Sequence, residues 1–181
     1  MIAPLEPPTA SVVQLLDAVA RTPWPTHLAR CDRLWGPLGI HLDRQVTLPP
    51  GHENELIHEV DIPLEGHVDG SLFATRDGRP LNLGCFLYRN ETEDADEQTK
   101  LEFDAIAEAM TETWGTDNVG ERTPEARVWE VNSLVIELYH HVRPAHPHTG
   151  QLLGPACLQV GLGPPEPPRS IARTTASLEG A

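Results

Sequence analysis

Positive charge is what this chain has least of. Lys and Arg together number 13, Asp and Glu number 27, and the formal net charge over 181 residues is −14. Lys100 is the only lysine. A body this acidic repels phosphate backbones and anionic bilayers, so neither nucleic acid nor a membrane is an expected partner. Cysteine is scarce as well. Cys31, Cys85 and Cys157 are odd in number and widely spaced, which excludes a disulfide framework. No CxxC pair is present to begin a zinc knuckle. Reduced, buried thiols in a cytoplasmic protein are the simplest expectation. No run approaches the roughly 20 apolar residues of a membrane-spanning helix. Residues 1–8 lack the basic and apolar regions of a signal peptide.

Catalytic signatures are missing too. Ser133 has no nucleophile-elbow glycines around it. Gly161-Leu162-Gly163 precedes prolines, where a phosphate loop would precede a helix N-terminus. No cofactor is therefore expected. Apolar residues make up 39 % of the chain, too many for wholesale disorder, and the length suits one domain. Proline marks the ends. Pro4, Pro7 and Pro8 point to a flexible segment over residues 1–8, and Pro164, Pro165, Pro167 and Pro168 open a disordered tail over 164–181. The folded body is then residues 9–163.

Ser11 to Gln14 has capping-box form, and Val12, Leu15, Leu16 and Val19 follow at helical spacing. Pro23 and Pro25 stop that helix. A second helix is predicted over residues 26–35, with Leu28, Cys31, Leu34 and Trp35 as its stripe and Gly36-Pro37 as its end. The period then changes to two. Ile40, Leu42, Val46 and Leu48 predict a strand; so do Leu56, His58, Val60 and Ile62. Gly66 and Gly70 predict that the next strand is bulged or begins late. Asp77-Gly78 predicts a hairpin into Leu81, Leu83, Cys85 and Leu87. A long helix then runs to Trp114. Asp94 and Glu97 cap its start, Phe103, Ile106, Ala107, Met110 and Trp114 face inward, and Gly115 ends it. Residues 127–131 and 134–142 form a hairpin about Asn132-Ser133, and residues 157–162 are a last strand. The order ααββββαβββ gives an α+β fold: two N-terminal helices, an antiparallel meander, a long acidic helix, a hairpin and a final strand, with helices on one sheet face.

The outer face of the long helix carries Glu97, Glu102, Asp104, Glu108 and Glu112. A solvated charged face explains such a run, and so does a docking surface for a basic protein. Trp129 stands on a strand among charged residues, where an exposed indole would anchor an interface. Trp24, Trp35 and Trp114 read as packing residues. His140 and His141 point to opposite faces of their strand. His146 and His148 are the pair that would share a metal, but no third ligand is evident in the sequence, and a proline-stiffened loop accounts for them. All three cysteines fall on apolar stripes, as core residues do.

Thr22-Pro23-Trp24-Pro25, Trp35-Gly36 and residues 128–138 resemble an uncharacterised actinobacterial family of small proteins, a domain of unknown function, over roughly residues 11–163. That resemblance implies a fold and no reaction. The element order and charge also resemble the type III secretion chaperone fold, whose members are small, acidic and cytosolic. The two initial helices and the extra final strand depart from it. The leading expectation is a non-enzymatic, acidic, cytoplasmic protein-binding domain, either an immunity protein that blocks a toxin or a secretion-type chaperone, with a basic protein as partner. Self-association into a homodimer stays open. The alternative is an enzyme or ligand-binding protein using a pocket between helix and sheet, with His58, His140 or His146.

Overall fold

The computed structural model describes residues 7–52, 54–66, 68–90, 92, 94–117 and 126–165. Of the tail expected over 164–181 and the segment expected over 1–8, residues 166–181 and 1–6 lie outside the described residues. Pro7 and Pro8, the last two residues of the segment expected over 1–8, are described. Pro7 is buried, and its carbonyl accepts a hydrogen bond from the Tyr88 hydroxyl.

Helix α1 spans Thr9–Arg21 and buries Val12, Val13, Leu16, Val19 and Ala20. It starts two residues before the expected capping box and uses no side-chain cap. The Pro8 carbonyl accepts from the amides of Ser11 and Val12, and a proline is tolerated there because a helix start needs no amide from it. Thr22 closes the helix by donating its hydroxyl to the Ala18 carbonyl at 2.9 Å.

The predicted second helix is broken. Leu28–Arg30 is a 3₁₀ turn, α2 is only Cys31–Trp35, and Gly36–Leu38 is a second 3₁₀ turn. His27 caps the first turn through its ring, and the path ends at Gly39, whose φ is +79°. Gly36-Pro37 tightens the path but does not end it. Trp35 is fully buried, with Trp24 edge-on at 5.1 Å between ring centres. The Trp24 indole N–H donates to the Pro80 carbonyl, which ties this corner to the sheet.

Among the described residues seven strands follow: β1 His41–Gln45, β2 Glu55–Asp61, β3 Asp69–Thr75, β4 Pro80–Asn90, β5 Ala126–Val131, β6 Leu134–His141 and β7 Ala156–Gly163. Helix α3, Ala95–Trp114, separates β4 from β5. All strand pairs are antiparallel, in the order β1-β2-β3-β4-β7-β6-β5. The expected meander is β1 to β4. The last described strand, β7, lies inside the sheet, between the meander and the β5–β6 hairpin.

Local chemistry explains most boundaries. β1 is shorter than the alternation of residues 40–48 predicted, because the pairing is irregular between Leu42 and Gln45. β3 begins late, as expected. A Cβ on Gly70 would lie 2.4 Å from the Val60 carbonyl, so only glycine fits that pairing. Asn132 and Ser133 both have positive φ, the geometry of a two-residue hairpin turn. Asp94 precedes α3 without capping an amide; its carboxylate accepts from Thr92 and Gln98 instead.

Both long helices cover one sheet face. The core joins Leu16, Phe103, Ile106 and Met110 to Leu83, Leu87, Ile136, Leu138, Leu158 and Val160. The opposite face carries no helix among the described residues. No described helix is long and apolar enough to cross a membrane.

Candidate partner-binding surfaces

Helical geometry sorts the acids of α3. Glu97, Asp104, Glu108 and Glu112 are exposed along one stripe, as the sequence predicts. Leu101, 59 % exposed, sits among them. Asp104 is in an ion pair with Lys100. Glu102 does not belong to the stripe. It turns toward α1, is half-buried, and accepts a hydrogen bond from the Thr9 hydroxyl at 3.1 Å.

Trp129 is corrected outright. The register pairs it with Ile136, which places it on the helix-covered face, and it is only 2 % exposed. Its ring meets Trp114 edge-on at 6.4 Å. The charged neighbours that suggested exposure are satisfied elsewhere. Arg127 reaches Asp117 at 2.9 Å, and Glu130 points to the other face. Trp129 is thus a core residue and not an interface anchor.

The histidines separate as alternation requires. His140 is buried under α3, 3.0 Å from the Thr99 hydroxyl, and His141 lies outside, 2.8 Å from the Gln159 carboxamide oxygen. His58 stands on β2, four strands away from β6, or roughly 19 Å at the usual strand spacing. His146 lies in the loop after β6, where its Nδ1 accepts from the amides of His148 and Thr149. That use removes one nitrogen from any metal shared by His146 and His148. Among the described residues, no group of three or more His, Cys, Asp or Glu is placed to hold a metal ion. The histidines of the expected pocket are therefore not brought together. A cavity between α1 and the sheet measures about 20 Å³ and is lined by apolar side chains such as Leu16, Ile40 and Leu83. It is far below the few hundred Å³ of an ordinary ligand site.

Two cysteines behave as expected. Burial pushes the Cys31 thiol up to about 11 and the Cys85 thiol up to about 12, so both stay protonated near neutrality. Cys157 is buried but lies on the helix-free face, opposite His141 and outside the main core.

That helix-free face is a second acidic surface, and the sequence reading missed it. Pairing places Glu59, Ser71, Gly84, Gly161, Glu137 and Val128 in one row across β2, β3, β4, β7, β6 and β5. Asp69, Phe86, Gln159, Tyr139 and Ala126 form the next row. Glu137 is half-buried and Glu130 exposed on this side. Arg44, which reaches the same face, is held by both oxygens of Glu59 at 2.6 and 2.7 Å. That pair holds the Glu59 carboxyl below its ordinary range. The signal was available in β6, where Val135, Glu137, Tyr139 and His141 alternate with the core residues.

A shallow cleft of about 290 Å³ opens where α1 ends, lined by Arg21, Trp24, Asn132, Leu134 and Pro164 among others. The Asn132 amide donates to the Ala20 carbonyl across its floor. No family model, curated protein or solved structure matches this chain.

Proposed function

We propose that this protein is a non-enzymatic binding domain for a basic protein, acting as an immunity protein or a secretion-type chaperone does, in the cytoplasm. One observation carries the reading. In a chain of net charge −14, acidic side chains gather on two separate surfaces, the exposed stripe of α3 with Glu97, Asp104, Glu108 and Glu112 and the helix-free face of the sheet with Glu59, Asp69, Glu130 and Glu137. Acidic surfaces raise the association rate of a basic partner and repel acidic competitors. The core beneath them supplies a rigid support. Affinity purification of the full chain from its native host, followed by mass spectrometry, tests the reading. A stoichiometric basic protein, released as salt rises from about 0.05 M to about 0.5 M, is the expected result. A co-purifying small molecule without a protein would overturn it and favour the ligand-binding alternative.

A further inference from the structure

Arginine is used in two ways on this molecule. Arg21, Arg44, Arg127 and Arg143 each hold a carboxylate, that of Asp17, Glu59, Asp117 and Asp96 in turn. Arg30, Arg33, Arg76 and Arg79 are all exposed, and none of them is in an ion pair among the described residues.

The fold brings these four to one corner. Arg76 to Arg79 make the turn from β3 to β4, with Gly78 at a φ of +82°. The Leu28 amide donates to the Gly78 carbonyl at 2.8 Å, and a Cβ on Gly78 would lie 2.7 Å from His27 Nε2. The turn is therefore flush with the start of the Leu28–Arg30 3₁₀ turn. Arg30 ends that turn, and Arg33 follows three residues on, on the same side of the helical path. Cys31 and Trp35 take the buried side. Backbone bonds fix the corner in advance: the Thr75 amide donates to the Arg79 carbonyl at 2.9 Å, and the Arg79 amide to the Thr75 hydroxyl at 3.1 Å.

Nearby acids are engaged elsewhere. Asp32 accepts from the Leu42 amide at 3.2 Å, Asp77 accepts from the Thr75 hydroxyl, and Glu55 lies 3.2 Å from His52. The acidic surfaces are remote. Helix α3 packs on β5, β6 and β7, and β3 stands three strand spacings from β6, roughly 14 Å. Asp69 is at the far end of β3 from Thr75, roughly 20 Å away. Both distances exceed the Debye length of about 8 Å at physiological salt, so the corner keeps a positive potential of its own.

We propose that this arginine corner is a docking surface for an acidic segment, a short run of Asp and Glu, of a protein partner. Carboxylates match the planar N–H forks of guanidinium groups. A partner that is basic throughout would set like charge against like here, which is costly across an interface. A long phosphate polymer is repelled by the rest of the body. The inference goes beyond the basic-partner reading, since it gives the partner a second, opposite pole and so a fixed orientation on the domain.

Titration of the full-length, ¹⁵N-labelled protein with a six-glutamate peptide at about 0.05 M salt tests the corner. Amide shifts should concentrate at residues 27–33 and 76–79. Arg30→Glu combined with Arg76→Glu should weaken the peptide about tenfold, because each reversal turns attraction into repulsion. Lys100→Glu combined with Arg127→Glu changes the net charge equally, away from the corner, and should leave the affinity within about twofold. If the first pair fails to fold, Arg33→Gln with Arg79→Gln replaces it and should weaken the peptide about threefold. Shifts elsewhere, or an equal loss in the corner and remote variants, would overturn the proposal. A response to inorganic phosphate at these residues without one to the peptide would overturn it as well. A six-arginine peptide titrated in parallel reports on α3 and the helix-free sheet face, so failure of the corner and failure of the basic-partner reading are read separately.

Discussion

Phe103 and Asp17 illustrate the two kinds of residue that hold α3 in place. Phe103 is 1 % exposed and belongs to the main core. Removing its ring leaves a cavity that the close-packed sheet cannot fill, so Phe103→Ala should cost roughly 3–5 kcal/mol in chemical denaturation. A loss below about 1 kcal/mol would mean that the helix repacks freely. Asp17 works by charge. It accepts from the Trp114 indole N–H at 3.1 Å and pairs with Arg21 at 2.8 Å, which links α1 to the end of α3. The Trp114 hydrogen bond first, and Arg21 after it, hold the Asp17 carboxyl below its ordinary range. A carboxyl lowered in the folded state stabilises it above the ordinary value of about 4, and that contribution fades as pH falls through the lowered value. Asp17→Asn should therefore melt below the parent at pH 7, with the gap closing in acid. A gap independent of pH would assign the effect to packing alone.

At the scale of elements, α3 is both the lid of the core and an acidic display. Its two ends differ. Glu97 sits in the first turn, where the helix dipole favours a carboxylate, whereas Glu108 and Glu112 lie toward the C-terminal end, where it favours a cation. Glu102 is unsuitable for charge reversal because it holds Thr9. Reversing Glu108 and Glu112 to lysine should leave stability within about 1 kcal/mol of the parent. The same change should slow association with a basic partner and flatten its salt dependence, as stopped-flow kinetics at two ionic strengths would record. An unchanged rate would remove α3 from the interface and leave the sheet face as the contact. The element order was legible because period carries it: α3 repeats apolar residues at helical spacing, and β2, β4 and β6 alternate. The break between α2 and its flanking 3₁₀ turns was not legible, because Leu28, Cys31, Leu34 and Trp35 keep a helical spacing that a mixed path also satisfies. Trp129 misled because charged neighbours in sequence need not be neighbours on a face. The assembly of the helix-free sheet face was beyond reach for another reason. Ser71, Gly84, Gly161 and Glu137 meet only after β7 is inserted between β4 and β6, and no local pattern reports that insertion.

The whole molecule places two kinds of electrostatics in opposition. Its 27 acidic side chains against 13 basic ones leave a net repulsion that works against the compact state. Exposed ion pairs such as Arg44–Glu59 and Lys100–Asp104 return little of that cost. Salt screens repulsion between like charges spread over the surface, since the Debye length falls from about 30 Å at 0.01 M to about 8 Å at 0.15 M. The isolated protein should therefore melt higher as sodium chloride rises across that range, by differential scanning fluorimetry at pH 7. Association with a basic partner depends on the same charges with the opposite sign, so the complex should weaken over the same range. The pair of slopes discriminates between sources. If melting instead falls with salt, local ion pairs dominate the fold and the acidic surplus is not a burden on it. If melting rises while the complex is indifferent to salt, the charge serves the free protein alone and the partner is held by apolar contacts, with Leu101 on α3 and Phe73 on the sheet as the exposed side chains to truncate next.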